Sequence, residues 1–318
     1  MMSEQKHEKF KYVFGPVNSR RLGSSLGVDI LPLKTCTQNC IYCQLCMDEK
    51  PVIEIKTYAE PEKVIDEVCR RLESGVRVDY VTFSGSGEPT LHKDIGYIIQ
   101  KLKDKTGKKI AVITNGTMLW KPEVRSRLRQ ADLVMPSLDG FDEESFKTIN
   151  RPHEKITFDK LVYGLQQFRD EFSAQYWLEV FLIKGINASL ESLEKLKNLV
   201  NKIKPDRIQL NTVVRPGVDP SLRALSEKEL IQTAQIMGIG PEGIIHYEPA
   251  QTSSNAEGIE NQVTELLKRR ACRKIDISEG LGTDLSLLEP VVENLEKREM
   301  LESFEYNGEV FYKLKSSK

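Results

Sequence analysis

The sequence predicts an α/β fold: a partial (β/α)6 barrel followed by a small α+β domain that resembles a winged helix-turn-helix. Short runs rich in Val, Ile and Leu alternate with amphipathic helical patterns over most of the chain. Such runs are typical of parallel strands that are covered on both faces. Six βα pairs in series predict a parallel sheet, but they are too few to close an eight-stranded barrel.

The elements of the barrel follow one another in strict alternation. The predicted strands span 27–32, 79–84, 109–114, 132–138, 177–183 and 207–213. The predicted helices span 60–74, 91–105, 121–130, 157–172, 189–203 and 226–238. In the first helix Val64, Ile65, Val68 and Leu72 form one apolar stripe, which is typical of a helix that packs on a sheet. Ligands of such sheets bind at the carboxyl ends of the strands, so we expect the functional site there.

The pattern changes near residue 250. The polar segment PAQTSSNAEG predicts a linker over 249–257 between a barrel domain, 1–248, and a small domain, 258–318. In the small domain we predict a helix at 258–271, a short helix near 275–280, a longer helix at 284–300 and a hairpin that turns at Asn307-Gly308. This is the order of elements in a winged helix-turn-helix.

Composition excludes several classes of protein. The chain has 318 residues, 39% of them hydrophobic, and a formal net charge of −1, as in an ordinary soluble protein. It shows no overall basic charge for nucleic acid, no signal-peptide core and no apolar run that could span a membrane. We therefore expect a cytoplasmic protein, in which thiols stay reduced and clustered cysteines bind metal.

Four of the six cysteines lie within KTCTQNCIYCQLC, residues 34–46. Cys36, Cys40 and Cys43 have the spacing C-x3-C-x2-C directly after the first predicted strand. Three thiolates from one loop suit a cubane iron–sulfur cluster with one iron left open. A structural zinc site normally takes four ligands in two pairs, and no second pair occurs here. We predict structural roles for the other three cysteines, Cys46, Cys69 and Cys272. For Cys46 alone, a role as an alternate ligand or as a reactive thiol stays open.

This spacing after a first strand resembles the radical S-adenosylmethionine (SAM) superfamily, and the resemblance covers roughly residues 12–215. The lead motif matches as CTQNCIYC, with Tyr42 as the aromatic residue before the last cysteine. The resemblance implies that Cys36, Cys40 and Cys43 bind a [4Fe–4S] cluster and that SAM binds its open iron. It further implies reductive cleavage of SAM to a 5′-deoxyadenosyl radical that abstracts hydrogen from a substrate, with an electron donor such as ferredoxin or flavodoxin.

Three further motifs follow predicted strands and agree with the resemblance. FSGSGEPTL, residues 83–91, resembles the Gly-Gly-Glu-Pro motif. There, Gly85 and Gly87 are expected to let the backbone approach the methionyl group of SAM, and Glu88 to accept a hydrogen bond from its ammonium. ITNGT contributes Asn115 as a cofactor contact, and PSLDG contributes Ser137, whose hydroxyl is expected to contact the ribose or the methionyl carboxylate. Asp139 in the same motif is either a site residue or a turn residue.

The lead-in KYVFGPVNSRRLGSSLGVDILPLKTC is similar to iron–sulfur oxidoreductases that are grouped with the wyosine tRNA-base synthetases. The resemblance suggests a tRNA or other nucleoside as substrate. Arg20 and Arg21 either hold a carboxylate or phosphate near the cluster or form a solvated basic pair. The wyosine enzymes carry extra upstream cysteines for a second cluster, whereas no cysteine precedes Cys36 here, so we expect a single cluster. Other polar residues are candidate substrate contacts or barrel fillers: Asn150, Glu179, Lys184, Gln209, Asn211 and Arg215.

The small domain has an acidic balance that disfavours duplex DNA. Residues 256–318 hold ten Lys or Arg and thirteen Asp or Glu, and phosphate contacts supply most nucleic-acid affinity. The basic patch Lys268–Lys274 either contacts phosphate or places favourable cations at a helix C-terminus. Docking of a protein or peptide substrate, or a lid over the pocket, is the alternative role for this domain. A redox sensor that couples a cluster to the winged helix is a further alternative for the whole chain.

Overall fold

The computed structural model describes residues 10–19, 21–45, 48–240, 243–244, 259–268 and 270–315. Three predictions lie outside these residues: the linker over 249–257, the role of Arg20 and the role of Cys46. Within the described part of the chain, no helix is both long enough and apolar enough to cross a bilayer.

A seven-stranded sheet forms the barrel domain, and its spatial order follows the chain. The strands are β1 Val13–Ser19, β2 Gly23–Val28, β3 Tyr80–Phe83, β4 Lys109–Thr114, β5 Leu133–Pro136, β6 Gln175–Leu182 and β7 Arg207–Thr212. Strands β2 to β7 pair in parallel, and β1 pairs antiparallel with β2. The six parallel strands confirm the partial barrel. Strand β1, which the sequence pattern did not predict, adds a seventh strand at one edge.

Helices separate the parallel strands. They are α1 Pro61–Glu73, α2 Ile95–Thr106, α3 Pro122–Leu128, α4 Glu143–Asn150, α5 Phe158–Glu171, α6 Leu190–Ile203 and α7 Glu227–Met237. Val64, Ile65 and Val68 of α1 are fully buried against the sheet, which confirms the predicted stripe. Helix α4 was not predicted. Its capping box pairs Asp142 with a serine, Ser145, rather than with the glutamate or glutamine that marks this motif in a sequence.

The small domain contains α8 Ile259–Leu267, α9 Lys274–Leu281, α10 Leu285–Lys297 and a hairpin of β8 Leu301–Tyr306 and β9 Glu309–Leu314. Asn307 and Gly308 both have positive φ at its turn, as a two-residue hairpin loop requires. Val263, Ile277, Leu288, Val292 and Leu295 are fully buried in a core of their own. The order of elements is the predicted one, while the winged-helix assignment itself stays a prediction.

The small domain contacts the barrel at both edges of its open sheet. At the β1 edge, Asn18 Nδ2 donates to the Glu279 carbonyl at 2.9 Å. Beyond β7, the Tyr306 hydroxyl donates to the Leu222 carbonyl at 3.0 Å. An ion pair of 3.1 Å joins Arg215 to Asp276 at the same side. The domain therefore bridges the gap that a six-unit barrel leaves open.

Candidate functional site

A cavity of about 440 Å³ opens at the carboxyl ends of the strands, within the size range of small-molecule sites. Cys36, Cys40 and Cys43 line it. All six residues predicted as cofactor contacts line it as well: Tyr42, Gly85, Gly87, Glu88, Asn115 and Ser137. The structure thus brings together motifs that lie up to 101 positions apart in the chain, from Cys36 to Ser137.

The other sequence candidates divide into two groups. Arg21, Glu179, Asn211 and Arg215 line the cavity. Arg21 forms an ion pair with Glu179 on β6, so it is not the solvated basic residue of the alternative interpretation. Lys184 instead pairs with Glu229 at 2.7 Å on an exposed surface. Gln209 is buried but is not part of the cavity wall, which fits a barrel filler.

Side-chain amides approach two of the cysteine sulfurs. Asn115 Nδ2 lies 3.5 Å from Cys36 Sγ, and Asn150 Nδ2 lies 3.4 Å from Cys40 Sγ. Hydrogen bonds to ligand sulfurs are one means by which proteins tune iron–sulfur clusters. Burial, and then the negative charge of Glu88, raise the pKa of the Cys36 thiol to about 12. Metal coordination deprotonates such a thiol, so binding would release protons.

The donor set fits the cluster that the resemblance implies. Among the described residues, no three Cys, His, Asp or Glu side chains converge as the ligands of one ion do. The three thiols instead share the wall of a larger cavity, and in a cubane each thiolate binds a different iron atom. The nearby Asn115 and Asn150 amides supply the neutral donors that a thiolate-bound cluster accepts. We find no misfit between these residues and a [4Fe–4S] cluster.

Asp139 anchors the cysteine loop to the sheet. This buried carboxylate accepts hydrogen bonds from the Tyr42 hydroxyl at 2.5 Å, Asn150 Nδ2 at 2.8 Å and the Phe181 N–H at 3.0 Å. The Tyr42 ring stacks on Phe181 with centroids 3.9 Å apart. Asp139 is therefore more than a turn residue, because it ties the loop to β6 and to the end of α4.

Glu88 is buried, with 2% of its surface exposed, and its carboxylate already receives four hydrogen bonds. Oε1 accepts from the Thr90 N–H at 3.0 Å and from the hydroxyls of Thr90 and Thr114 at 2.6 Å each. Oε2 accepts from the Asn115 N–H at 2.7 Å. Burial raises the pKa of Glu88, and these hydrogen bonds oppose that shift. Only Oε2 has room for one more donor, so the predicted contact with an ammonium is confined to that atom.

The two glycines of this motif are required by contacts within the protein. A Cβ on Gly87 would lie 2.0 Å from the Thr35 carbonyl, and Gly85 has φ of 136° beside the Asp29 carboxylate. The Glu88 N–H also donates to the Thr35 carbonyl at 2.9 Å. Gly87 thus lets the motif pack on the cysteine loop. From the sequence alone, this glycine was explained only by a close approach of the backbone to SAM.

Ser137 and Asn115 differ in what they can still offer a ligand. Among the described residues, the half-buried Ser137 hydroxyl has no hydrogen-bond partner, and it faces the cavity. Asn115 uses Nδ2 to donate to Thr37 Oγ1 at 2.8 Å and Oδ1 to accept from Thr117. Ser137 is therefore available to a cofactor, whereas the Asn115 side chain holds the start of the cysteine loop.

The small domain contributes residues that the sequence interpretation did not assign to the site. Leu266, Arg270, Asp276 and Gly280 all line the cavity. The sequence predicted Arg270 only as part of the basic patch Lys268–Lys274, since a run of cations after a helix carries no information about a distant sheet. Asp276 lies three positions after Arg273 and caps α9, which is the one local feature that could have drawn attention to it.

Comparison with known proteins identifies a matching family. Residues 30–196 match the model of the radical SAM superfamily, a segment that covers more than half of the chain and includes every cysteine of the lead motif. A UPF0026 protein of Methanocaldococcus jannaschii is 30% identical over 94% of this chain and 94% of its own length.

Other matches are partial. The GTPase Obg of Brachyspira hyodysenteriae is 44% identical over 81% of this chain, which spans only 38% of that relative's length. A probable GTP 3′,8-cyclase of Methanocella arvoryzae is 31% identical over 48% of this chain and 46% of its own. A solved structure of TYW1 with a lysine-pyruvate adduct bound has a TM-score of 0.52 at 19% identity, and it covers 68% of this chain and 74% of that one. At that identity the likeness bears on the fold alone.

Proposed function

The chain belongs to the radical SAM superfamily and is an enzyme that uses a [4Fe–4S] cluster and SAM, and we propose that it holds one cluster through Cys36, Cys40 and Cys43. One observation carries this proposal: the three cysteines and the predicted SAM contacts line the same cavity. When bound, the two cofactors supply a 5′-deoxyadenosyl radical that removes a hydrogen atom from a substrate.

The residues of the chain have separate tasks in this proposal. Asp139 and Asn115 hold the two ends of the cysteine loop through Tyr42 and Thr37. Glu88 Oε2 and the Ser137 hydroxyl orient SAM as acceptor and donor. The barrel and the small domain both line the cavity, and this shared wall would limit the access of water to a bound cofactor. A reducing compartment such as the cytoplasm suits the free thiols.

We propose a tRNA or another nucleoside as the substrate. The lead-in is similar to iron–sulfur oxidoreductases that are grouped with the wyosine tRNA-base synthetases, and one relative is named for a reaction of GTP. Another relative is named as a GTPase, whereas this sequence contains no Gly-x4-Gly-Lys-Ser/Thr phosphate-binding loop.

Two other functions have weaker support. A protein or peptide substrate docked by the small domain would fit that domain's acidic balance of ten cations to thirteen anions over residues 256–318. A redox sensor would require no substrate pocket, whereas this chain has a cavity of about 440 Å³ beside the cysteine loop. The redox-sensor function is therefore disfavoured.

The test begins with anaerobic reconstitution of the full-length protein. We expect about four irons per chain and, with dithionite or reduced flavodoxin as electron donor, conversion of SAM to 5′-deoxyadenosine and methionine. Nucleosides from RNA of cells with and without the protein are then compared to find the substrate. A protein that takes up zinc and no iron would refute the proposal.

A further inference from the structure

Two arginines from different domains line the same wall of the cavity. Arg215 follows β7 in the barrel, and Arg270 follows α8 in the small domain. Arg215 is 7% exposed. Among the described residues, the buried Nε atoms of both arginines have no hydrogen-bond partner. Each guanidinium therefore has an unsatisfied donor in a residue that lines the cavity.

The nearby carboxylates do not balance these cations. Asp276 accepts from Arg215 Nη2 at 3.1 Å, but it also accepts from Arg273 Nε at 2.9 Å and Nη2 at 3.2 Å. Glu309 pairs with Arg273 on the outer side. Burial lowers the pKa of Arg270, and the positive charge of Arg215 lowers it further. Among these contacts of the described residues, three guanidinium groups thus share two carboxylates, and the two arginines that line the cavity receive only one of these contacts.

Such a surplus has a physical consequence. A buried cation without a full set of partners is unfavourable, and an anion that enters the cavity relieves the cost. The guanidinium group presents parallel N–H donors that match the oxygens of a phosphate or carboxylate. Arg21, a further cation that lines the cavity, already pairs with Glu179.

We propose that Arg215 and Arg270 together bind an oxyanion group of the substrate, a phosphate or a carboxylate, at the junction of the barrel and the small domain. This deepens the proposed function, because it makes the small domain part of the substrate site. The site lies to one side of the predicted SAM contacts. Glu88 follows β3 and Ser137 follows β5, whereas Arg215 follows β7, which is respectively about 19 Å and about 10 Å further along the sheet at the usual strand spacing.

The test measures anion binding by the full-length protein before any cluster is installed. Phosphate and acetate are titrated separately at constant ionic strength set with chloride, and binding is followed by calorimetry and by the rise in Tm. We expect wild type to bind one of the two, and Arg215→Met and Arg270→Met each to weaken that binding about 10- to 150-fold. Binding of phosphate or of acetate identifies which oxyanion the substrate carries.

Arg298→Met is the matched control, because Arg298 is also an arginine of the small domain but pairs with Glu260 and does not line the cavity. We expect it to leave anion binding unchanged. Arg270→Lys keeps the positive charge and replaces Arg270→Met in the experiment if the Met variant does not fold. We expect Arg270→Lys to bind the anion with an affinity between those of wild type and Arg270→Met. Equal weakening in the control, or no anion binding by folded wild type, overturns the proposal.

Iron content and SAM affinity distinguish a substrate site from a cofactor site. After reconstitution, both Met variants should keep the iron content and the SAM affinity of wild type. If they bind anions normally but lose iron or SAM, the arginines serve the cofactors and the proposal is wrong. Because the anion titration uses protein without a cluster, its result stands whether or not the proposed radical chemistry is found.

Discussion

Replacement of Glu88 tests how the site is built and what it binds. Its carboxylate accepts two backbone N–H groups, from Thr90 and Asn115, and two threonine hydroxyls. In Glu88→Ala the hydroxyls can rotate to other acceptors, but the two backbone donors cannot. A buried donor left unsatisfied costs about 1–3 kcal/mol, so the variant should lose about 2–6 kcal/mol. That is a large share of the roughly 5–15 kcal/mol that stabilises a typical domain.

Glu88→Gln separates stability from binding. Its carbonyl oxygen can still accept from Thr90 and Thr114, and only the Asn115 N–H then faces an amide donor. We expect a loss of about 1–3 kcal/mol from that single unsatisfied group. The negative charge at the position of Oε2 is also lost, so SAM affinity should fall about 10- to 150-fold. Urea unfolding and equilibrium SAM binding measure the two effects.

Glu67→Ala is the matched control for Glu88→Ala. Glu67 is also a buried carboxylate, and its Oε2 accepts the backbone N–H groups of Lys11 and Tyr12; none of these three residues lines the cavity. The variant leaves both backbone donors without an acceptor, so it should lower stability without changing SAM affinity. A Glu88→Ala protein as stable as wild type would refute the hydrogen-bond account, and unchanged SAM affinity in Glu88→Gln would refute the assigned contact.

Three further predictions follow from the cluster, the small domain and their junction. Replacing any one of the three motif cysteines by Ala should remove most of the iron, whereas Cys69→Ala should keep it; iron analysis decides. Deleting residues 259–318 should keep the iron but lower the rate of SAM cleavage, because part of the cavity wall is lost; an unchanged rate would mean that the wall plays no role. Burial alone would raise the pKa of Asp276, but the hydrogen bond from Arg273 and the charge of Arg215 outweigh it and lower that pKa below 3.8. The Asp276 carboxylate therefore stabilises the fold at any pH above its ordinary pKa, and this stabilisation is lost as the pH falls through its lowered pKa in the folded protein. Acid unfolding of Asp276→Asn should lack this loss of stability.

Local patterns in the sequence were enough for the regular elements. The predicted strand 109–114 agrees with β4 to the residue, and the predicted helices lie within a few residues of the observed ones. Buried parallel strands and amphipathic helices each have a periodicity that a short window of sequence contains. Strand β1 was missed because VFGPVNS has a glycine, a proline and polar residues in place of an alternating pattern.

The cluster of candidate residues was also predictable, because each motif directly follows a strand of one parallel sheet. Parallel strands bring their carboxyl ends to one edge, so Cys36, Glu88 and Ser137 had to lie near one another. Their partners were not predictable in the same way. That Asp139 accepts from Tyr42, or that Gly87 packs on Thr35, depends on distances of a few ångströms between separate loops.

By itself, the sequence determined the order of elements, the three-cysteine loop and the edge of the sheet at which the site lies, since these depend on periodicity and on residues that are neighbours in the chain. Only the tertiary structure decided that the small domain spans both edges of the open barrel and brings Arg270 beside Arg215. The 54 positions between these arginines contain no local feature that encodes their approach. It arises from the packing of two domains, each with its own core, against the gap that six βα units leave unclosed.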